Sequence, residues 1–597
     1  LIPFEFNVEQ TYALLFGHQT LNIIKDGAPV LEASQSISNI SGSVVTSTAH
    51  GYSNGDIVYL SGTGAAELDN KFSSIYSVTS DTFQVTGDGS GWVSGGAVAK
   101  LVVIATPYDQ NDLAKIKYTQ SADVMTLTHP SYELQELSRT SHSDWTLSAI
   151  DFQTTAIAPS AGLSISEEGG GSSGSRKTYR YKITTVNDDG SESQPSVILG
   201  LTTGSNSLST TRYALLSWTK VDEAKYYNIY KENSLNSNIF GFIGEAENSD
   251  DPDASFSDYN FAPDMSVTPP EFYNPFEDVG EYPGCATYHQ QRLFFGGSLL
   301  FPQQVNGTRT ANYKNMDTSR PTRADDSIEF TIAAQRVNEI RHLVSMDKLI
   351  AFTSGGTWKI DADQDGVLTP SNINPRRQGG YGCAHLEPLL IGETAIYLQE
   401  KGSRVRDIGY KFESDSYAGT DLSIMAEHLF TNNTIVDWCY AEEPYGLIWA
   451  VRDDGLLLSL AYLRDHQVWG WTRHDTDGLF ESVTSISEGD EDAVYAVVKR
   501  TIGGQTKRYV ERLHSRRFDS IEQAFFVDSG LTYEGPSTST LSGLDHLEGK
   551  TLVALADGNH VPDLLVTNGR ITLPNAASVI HIGLPYECDL EKLVVDF

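Results

Sequence analysis

The segment DADQDGVLTP has the residue types and spacing that could bind a metal ion. Asp361, Asp363 and Asp365 alternate and Gly366 follows, which matches the opening of a calcium loop, where such carboxylates converge on the cation. The twelfth position is Asn372 instead of the bidentate glutamate, and no helical pattern flanks the loop. A solvated acidic turn is the favoured interpretation, and we predict no metal site.

The other acidic and nucleophilic residues form no pattern typical of catalysis. Hydrolysis needs two carboxylates about 5 to 9 Å apart, or a nucleophile with a base and an orienting group. The pairs Asp325–Asp326 and Asp453–Asp454 occur in turn sequences, where Asp is favoured for its own hydrogen bonds. The sequence contains no GxSxG, HExxH or P-loop motif. We therefore predict that the chain is not an enzyme and takes no cofactor.

The charge of the chain sets limits on its partners. The chain has 42 Lys and Arg against 78 Asp and Glu, which gives a net charge of −36. This charge argues against general binding of nucleic acid through neutralisation of its phosphates. A negative surface repels DNA, which is useful in anything that DNA must slide past without sticking, although acidity that merely aids solubility is at least as compatible with the charge. Six arginines are candidates for surface salt bridges, for a partner-binding surface, or for a ring formed on assembly: Arg376, Arg377, Arg404, Arg406, Arg516 and Arg517.

Cysteine usage and hydropathy give expectations about the compartment. Cys285, Cys383, Cys439 and Cys588 are far apart and form no CxxC pair, so we predict buried thiols in a reducing cytoplasm, without a disulfide framework or a zinc site. There is no run of 18 apolar residues and no signal-peptide pattern, so we expect no stable membrane insertion. The chain opens at Leu1, and we expect the true start to lie upstream.

The stretch 441–474 predicts the main structural element. Its apolar segments 447–451, 456–462 and 468–471 are separated by polar turns, and Asp454-Gly455 supplies the positive φ that a hairpin needs. A β-meander follows from this pattern. Equivalent turn glycines recur at differences of 59, 46, 53 and 49 residues, near the blade length of about 40 to 50 in β-propellers. They are Gly297, Gly356, Gly402, Gly455 and Gly504. The alternative is an irregular series of hairpins in a sandwich.

The whole chain is predicted to be mainly β and multidomain, with a β-propeller-like body and two inserted β domains. The predicted units are a platform formed by 1–34 and 106–165, a small inserted barrel or sandwich at 35–105, a sandwich-like insert at 177–268, the body at 271–525, and a C-terminal β-rich segment at 526–597. In the second insert, alternation predicts that Tyr181, Ile183, Leu216 and Trp218 face one core. Gly558 fits either a sixth blade or a separate barrel.

One segment, DLSIMAEHLF, is predicted to form a helix that packs on a sheet. Leu422, Met425, Ala426 and Leu429 have helical spacing, and Asp421 is placed as the N-cap.

Several long segments resemble the tail nozzle proteins of short-tailed bacteriophages, the tail tubular protein B-like family. They are PGCATYHQQRLFFGG, FPQQVNGTRTANYKN, DDSIEFTIAAQRVNEIRHLVSMDKLIAFTSGGTWKI, LTPSNINPRRQGGYGC, DSYAGTDLSIMAEHLF and IWAVRDDGLLLSLAYLRDHQVWGWTRH, and the resemblance covers most of 1–34, 106–152 and 271–597. Residues 35–105 look like the half-domain named from ubiquitin-activating enzymes. No cysteine precedes Cys285, so the namesake chemistry cannot reside there. Residues 177–268 look like a fibronectin type III module, although NDDGSES precedes the Trp218 segment, which leaves a permuted or Ig-like sandwich open.

The resemblance implies a structural virion protein of the tail, assembled in the host bacterial cytoplasm. Six copies would form a nozzle below the tail adaptor, contact tail fibre or needle proteins, and enclose a channel through which viral double-stranded DNA passes without sequence-specific binding. Family members continue past the equivalent of Phe597, so we expect the C-terminus to be incomplete. One alternative is a carbohydrate-binding or depolymerising protein of the tail surface, for which Trp92, Trp218 and Tyr227 are candidate stacking residues. A secreted adhesin is disfavoured by the missing export signal.

Overall fold

Strands make up the fold of this chain, which is mainly β. The computed structural model describes residues 1–65, 67–152, 156–169, 176–188, 190–203, 207–248, 251–334, 336–363 and 366–590. Helical structure in these ranges consists of short 3-10 segments: Leu113–Lys115, Phe412–Ser414, Ile424–Leu429, Arg464–His466, Ile521–Gln523 and Asp545–Leu547. In the same ranges we find no helix with the length and apolar character needed to span a membrane.

Seven antiparallel sheets within the described ranges share one up-and-down order, in which each strand pairs with the next strand of its sheet. Sheet 1 contains β1 (Ile2–Asn7), β2 (Gln10–Gly17), β3 (Thr20–Lys25) and β12 (Val103–Ala105), with β4 (Ala28–Pro29) paired to β3. Sheet 2 contains β13 (Lys117–Ser121), β14 (Val124–His129), β15 (Tyr132–Arg139) and β16 (Trp145–Ala149). Sheet 3 contains β25 (Cys285–His289), β26 (Arg292–Gly296), β27 (Gln304–Gly307) and β29 (Ile328–Thr331).

The other four sheets follow in chain order. Sheet 4 contains β30 (Ile340–Ser345), β31 (Leu349–Thr353), β32 (Gly356–Asp361) and β33 (Asn374–Gly379). Sheet 5 contains β34 (Leu389–Ile391), β35 (Thr394–Leu398), β36 (Val405–Lys411) and β37 (Ser416–Ala418). Sheet 6 contains β38 (Ile435–Ala441), β39 (Leu447–Arg452), β40 (Leu457–Leu463) and β41 (Val468–His474). Sheet 7 contains β42 (Leu479–Glu488), β43 (Glu491–Ile502) and β44 (Gln505–Arg512).

Each of these sheets shares an apolar core with the next, and the seventh shares one with the first. Full burial of one Leu or Phe side chain contributes about 1.5 to 3 kcal/mol to stability, so each shared core substantially stabilises the packing of its two sheets. The pairs, in order from sheets 1 and 2 to sheets 7 and 1, are Phe4 with Trp145, Leu134 with Phe295, Phe294 with Leu343, Phe352 with Tyr397, Val405 with Ile448, Val451 with Val483, and Ile486 with Ala13. The circuit of packing is therefore closed, as in a propeller.

The predicted meander and turn glycines are confirmed. The three predicted segments of 441–474 correspond to β39, β40 and β41, and the structure adds β38 as a first strand. Each of the five glycines has positive φ and lies in or at the edge of the connection between the second and third strands of its sheet. Their regular spacing along the chain therefore marks equivalent points of sheets 3 to 7.

The predicted helix at DLSIMAEHLF is wrong. The segment forms a 3-10 turn, Ile424–Leu429, that is interrupted at Ala426 by non-helical backbone angles. Leu422 and Leu429 are buried as expected, whereas the side chain of Met425 is 82% exposed. Asp421 accepts bonds from the N–H and hydroxyl of Ser423, and such local side-chain bonds compete with helix formation.

Two self-contained units interrupt the ring of sheets. The first has two sheets and its own core, with strands β5 (Gln35–Ser36), β6 (Asn39–Ser41), β7 (Val44–Thr46), β8 (Ile57–Ser61), β9 (Lys71–Ser74), β10 (Thr82–Gln84) and β11 (Ala97–Lys100). Its two ends meet, because Leu31 bridges Leu101 and the N–H of Glu32 donates to the carbonyl of Lys100 at 2.8 Å. The unit thus leaves and re-enters sheet 1 at one point.

The second unit lies between sheets 2 and 3. Its two sheets have the orders β17-β20-β23 and β19-β18-β21-β22, with strands β17 (Ser164–Glu168), β18 (Thr178–Asn187), β19 (Leu199–Thr202), β20 (Tyr213–Thr219), β21 (Ala224–Glu232), β22 (Phe240–Glu247) and β23 (Asp253–Asp258). Tyr181, Ile183, Leu216 and Trp218 are fully buried in one shared core, which confirms that prediction. A short ladder of β24 (Thr268–Glu271) and β28 (Thr318–Arg320) follows.

The C-terminal sheet differs from the sheets of the ring. Its order is β45-β48-β46-β47, with strands β45 (Asp528–Ser542), β46 (Thr551–Ala556), β47 (Asn559–Leu565) and β48 (Arg570–Leu584), and it has a core of its own. Gly558 turns the β46–β47 hairpin, so it does not open a further meander of the ring type. Thr476 donates to Asp528 at 2.6 Å and Lys550 pairs with Asp477 at 2.6 Å, which attach this sheet to the segment entering sheet 7.

Candidate functional site

The inner edge of the ring is held together by polar contacts between neighbouring sheets. Gln120 of sheet 2 donates to the carbonyl of Glu5 of sheet 1 at 2.9 Å. The guanidinium of Arg341 of sheet 4 donates to the carbonyl of Cys383 at 2.6 Å, and the indole of Trp438 of sheet 6 donates to the carbonyl of Glu387 at 2.6 Å. Each of these contacts involves a residue on the first strand of its sheet: Glu5, Gln120, Arg341 or Trp438. The first strands are therefore the inner strands, which surround the axis of the ring.

A small cavity lies among the first strands near the axis. Lys117 of sheet 2, Cys285 of sheet 3, His342 of sheet 4 and Glu387 before sheet 5 line a cavity of about 10 Å³. A cavity of this volume holds about one water molecule. A DNA duplex, whose narrower groove alone is about 6 Å wide, does not fit into a cavity of this volume.

Charged and titratable side chains meet at the axis. Burial raises the pKa of Glu387 to about 7, an effect that the ammonium of Lys117 opposes. Burial also lowers the pKa of Lys117, whose Nζ donates to the carbonyl of Arg341. Burial first, and then the carboxylates of Glu387 and Glu5, raise the pKa of Tyr118. These side chains form a polar plug at the axis, in which burial disfavours the charged forms of Glu387, Lys117 and Tyr118. Sequence patterns gave no signal of this plug, because its residues are far apart in the chain.

A second buried polar network holds the loop between β27 and β29. Arg292 is 1% exposed, and its guanidinium donates to the carbonyls of Thr308 and Asp326 at 2.6 Å each and to that of Ala324 at 2.7 Å. Burial lowers the pKa of Arg292 to about 10. Asp326 in turn accepts the N–H of Arg323 at 2.7 Å. The predicted turn at Asp325–Asp326 is thus a structural anchor.

Asp317 in the same loop is strained electrostatically. It is 2% exposed, and neither carboxylate oxygen has a hydrogen bond of normal geometry to a described residue. Burial raises the pKa of Asp317 to about 6, although the N–H of Tyr273 and the guanidinium of Arg309 oppose the shift. The loop therefore carries a carboxylate that is costly in its charged form.

The two described carboxylates of the candidate calcium loop, those of Asp361 and Asp363, have partners within the protein. Asp361 lies 3.3 Å from Nζ of Lys348 and 3.4 Å from Nζ of Lys359, so two ammonium groups occupy its surroundings. Asp363 accepts the amide of Asn374 at 2.7 Å. Asp365 lies outside the described residues. Among the residues that are described, we find no group of three or more His, Cys, Asp or Glu placed to hold a metal.

The six arginines lie on different sheets and have different partners. Arg404 pairs with Asp421 at 2.5 Å, and Arg517 pairs with Glu443 at 3.0 Å. Arg406 stacks over Tyr381 at 4.0 Å and Arg516 over Tyr445 at 4.6 Å. Arg377 donates to the carbonyls of Gly379 and Gly355 at 3.2 and 3.1 Å. Arg376 is exposed on β33 and has no ion-pair partner within the described ranges.

The three aromatics considered for sugar stacking do not form a platform. Trp218 and Tyr227 are fully buried and contact each other edge to face, with ring centroids 5.0 Å apart. Trp92 is half-buried and its indole donates to the carbonyl of Gly95 at 2.8 Å. These side chains stabilise the cores of the inserted units.

The predicted burial of the thiols holds for three positions. Cys285, Cys383 and Cys439 are buried, whereas Cys588 is exposed near the end of the described chain, so that part of the prediction is wrong. Cys588 follows the last described strand, which ends at Leu584, and lies outside the core of the C-terminal sheet.

The ring of meanders defines a mainly β protein of propeller type, and comparisons with known proteins add distant neighbours. No family model and no curated protein matches the chain. The β-propeller domain of Myceliophteria thermophila Cps50 (Swd1) is 8% identical with a TM-score of 0.25, covering 66% of this chain and 96% of that one. U3-55K is 10% identical, with a TM-score of 0.26 and coverages of 65% and 92%. The RRP9 WD40 repeats are 10% identical, with a TM-score of 0.27 and coverages of 65% and 91%. Likenesses this distant say nothing about function.

Proposed function

We propose that this chain is a structural subunit of the tail nozzle of a short-tailed bacteriophage. Six copies would close side by side around an axis and form the channel through which the genome leaves the particle. The observation that carries the proposal is the distribution of the family-like segments. They cover most of 1–34, 106–152 and 271–597. These ranges contain all seven sheets of the ring and the C-terminal sheet, and they leave out the two self-contained units.

The small cavity near the axis of the single chain limits where a genome channel can lie. Because the cavity between Lys117 and Glu387 has a volume of only about 10 Å³, the genome channel would have to lie between copies of the chain. We further propose that the excess carboxylates implied by the net charge of −36 are partly placed on that channel wall. DNA repelled from the wall has few sites at which to stall.

The two inserted units would be accessory domains on the outside of the nozzle. We propose that 35–105 is the small half-domain that phage tail proteins carry and that 177–268 is a fibronectin type III-like or Ig-like sandwich. Each has its own core, and neither is needed to complete the circuit of ring sheets. Their roles would be contacts with adaptor or fibre proteins.

Native mass spectrometry of the purified chain tests the proposal. The expected species has six times the mass of 65.4 kDa. As a matched variant, residues 35–98 are replaced by a short Gly-Ser linker, because Glu32 and Lys100 already contact each other at the base of that unit. We expect this variant to form the same six-membered ring. A monomer at micromolar concentration in both proteins, together with a particle image that places the chain away from the tail axis, would refute the proposal.

A further inference from the structure

A polar cleft opens between sheets 4 and 5, on the face that carries the connections between first and second strands. Its volume is about 540 Å³, within the range of about 300 to 1,000 Å³ typical of small-molecule sites. Its floor and walls are strand ends and tight turns of two packed sheets, so the lining is held by rigid elements. The lining side chains are Asp347, Lys348, Lys359, Asp361, Asn374, Arg376, Tyr410, Asp415 and Tyr417.

The positively and negatively charged side chains among the described lining residues are equal in number. Three cationic side chains, those of Lys348, Lys359 and Arg376, face three carboxylates, those of Asp347, Asp361 and Asp415, among the described lining residues. A polyanion such as nucleic acid needs an excess of positive charge, and a polycation needs the reverse. The balanced lining therefore favours a neutral ligand rich in groups that both donate and accept hydrogen bonds.

Tyrosines form the aromatic part of the cleft. The ring of Tyr410 is 47% exposed, and its hydroxyl donates to Asp415 at 3.0 Å. The buried ring of Tyr417 contacts that of Tyr410 edge to face, with centroids 5.8 Å apart. Burial, and then the charge of Asp347, raise the pKa of Tyr417 to about 12, so its hydroxyl stays a donor at neutral pH. Tyr410 is thus a partly exposed aromatic residue beside the polar groups of the cleft.

We infer that this cleft binds a saccharide. A sugar presents hydroxyl groups, which suit carboxylate, amide and guanidinium partners, and an apolar C–H face, which suits the ring of Tyr410. Arg376 has no ion-pair partner within the described ranges, and its five donors suit sugar oxygens. The site belongs to the single chain, so it does not depend on the proposed six-membered ring.

Saturation-transfer-difference NMR and titration calorimetry on the full chain test the inference. The probes are the neutral oligosaccharides maltotriose, diacetylchitobiose and cellotriose, with a deoxythymidine decamer as the anionic comparison. At least one saccharide should bind with a dissociation constant of millimolar or below, and the decamer should not bind. Arg376→Ala and Tyr410→Ala should each weaken saccharide binding at least tenfold.

Arg377→Ala is the matched control. Arg377 is the next residue on β33 and its guanidinium bonds the carbonyls of Gly355 and Gly379, away from the cleft lining, so saccharide binding should stay within twofold of the wild type. Unchanged melting temperatures of the variants would show that they fold. The inference is overturned if none of the three saccharides binds, if Arg376→Ala and Tyr410→Ala bind as the wild type does, or if the decamer binds more tightly than every saccharide. A failed mass measurement of the ring would leave these outcomes unaffected.

Discussion

The hydroxyl of Tyr495, on sheet 7, accepts a hydrogen bond from the main-chain N–H of Gly27, in the turn after β3 of sheet 1, at 2.8 Å. The same hydroxyl donates to the carboxylate of Glu488. The two residues are 468 positions apart in sequence, and the bond lies where the last sheet of the ring meets the first. This bond therefore helps to close the ring, because it joins the last of the seven sheets to the first.

Tyr495→Phe should weaken this closure. The substitution removes the acceptor of the Gly27 N–H and leaves the aromatic ring in its core with Ile486 and Ile24, so we expect a loss of about 1 kcal/mol in the free energy of unfolding. Urea unfolding measures it. Tyr509→Phe on the same sheet is the control, because the Tyr509 hydroxyl has no hydrogen bond to a described residue, and this variant should match the wild type. Equal stability of both variants would contradict the closure role.

Arg292→Met should cost considerably more. The apolar side chain fills similar space but leaves the carbonyls of Thr308, Ala324 and Asp326 without their buried donor, and an unsatisfied buried group costs about 1 to 3 kcal/mol. We expect a loss of about 3 kcal/mol or more in urea unfolding. Arg473→Met, at an exposed position of β41, should change stability by less than about 0.5 kcal/mol. A small loss for Arg292→Met would mean that water replaces the guanidinium.

Asp317→Asn should stabilise the protein at neutral pH. The folded pKa of Asp317 is about 6, above the value of about 3.9 in unfolded chains, so the folded state holds the proton more tightly. Stability of the wild type therefore falls as pH rises from about 4 to 6, by on the order of 2 kcal/mol, because the charged carboxylate is buried without a good partner. The variant should lack this decline.

The pH dependence of that stabilisation is the check. Wild type and Asp317→Asn should be closest in stability near pH 4 and differ most above pH 6, as measured by urea unfolding at each pH. Asp326→Asn is the contrasting variant, because Asp326 accepts the N–H and hydroxyl of Ser319 at 3.0 and 2.8 Å, and it should be destabilised at pH 7. A stability difference for Asp317→Asn that does not vary with pH would show that its charge is not the cause.

The sequence predicts sheets 3 to 7 well because their turns carry one chemical signal. A glycine with positive φ is needed where the second strand turns into the third, and Gly455 is an example. Sheets 1 and 2 make the same connection without a glycine of positive φ, and in sheet 1 the positive φ, 55°, belongs to Gln19. Sheet 1 is also interrupted by an inserted unit before β12, so no regular spacing marks it.

The candidate sites were less predictable because they depend on contacts between sheets. Lys117 and Glu387 lie 270 positions apart and meet only when the ring closes. The cleft between sheets 4 and 5 was predictable in part. Arg376 was a candidate from the sequence, whereas Tyr410 and Asp415, which line the same cleft, come from the next sheet. Local pattern identifies strands and turns, whereas the meeting of distant strands is fixed by the packing of the whole ring.

Lys117→Met should destabilise the ring through its axis. The substitution removes the donor to the Arg341 carbonyl and the cation that opposes the raised pKa of Glu387. A buried carbonyl left without its donor costs about 1 to 3 kcal/mol. Without the cation, the folded pKa of Glu387 rises further above the unfolded value of about 4.3, so the loss should be larger at pH 8 than at pH 5. Lys117→Met/Glu387→Gln should lose less than the single variant and show no such pH dependence. Equal losses in both proteins at both pH values would contradict the coupling.

Cys588 should be the one thiol that reacts quickly with Ellman's reagent in the folded protein. Reaction requires an accessible thiolate, and burial raises the pKa of Cys285 to about 11 and that of Cys383 to about 12. Burial also raises the pKa of Cys439. We expect one equivalent of rapid release in buffer and four in denaturant, since the sequence has four cysteines.

Cys588→Ser isolates the contribution of the buried thiols. The variant should show no rapid phase, and its remaining thiols should react only at the rate at which the ring opens. Cys285 lies on sheet 3 and lines the axial cavity, and Cys383 lies between sheets 4 and 5, where its carbonyl accepts a bond from Arg341. Their slow reaction would therefore report opening at the inner edge. Adding Lys117→Met to this background should accelerate the slow phase if the polar plug holds the first strands together, whereas an unchanged rate would place the opening elsewhere in the ring.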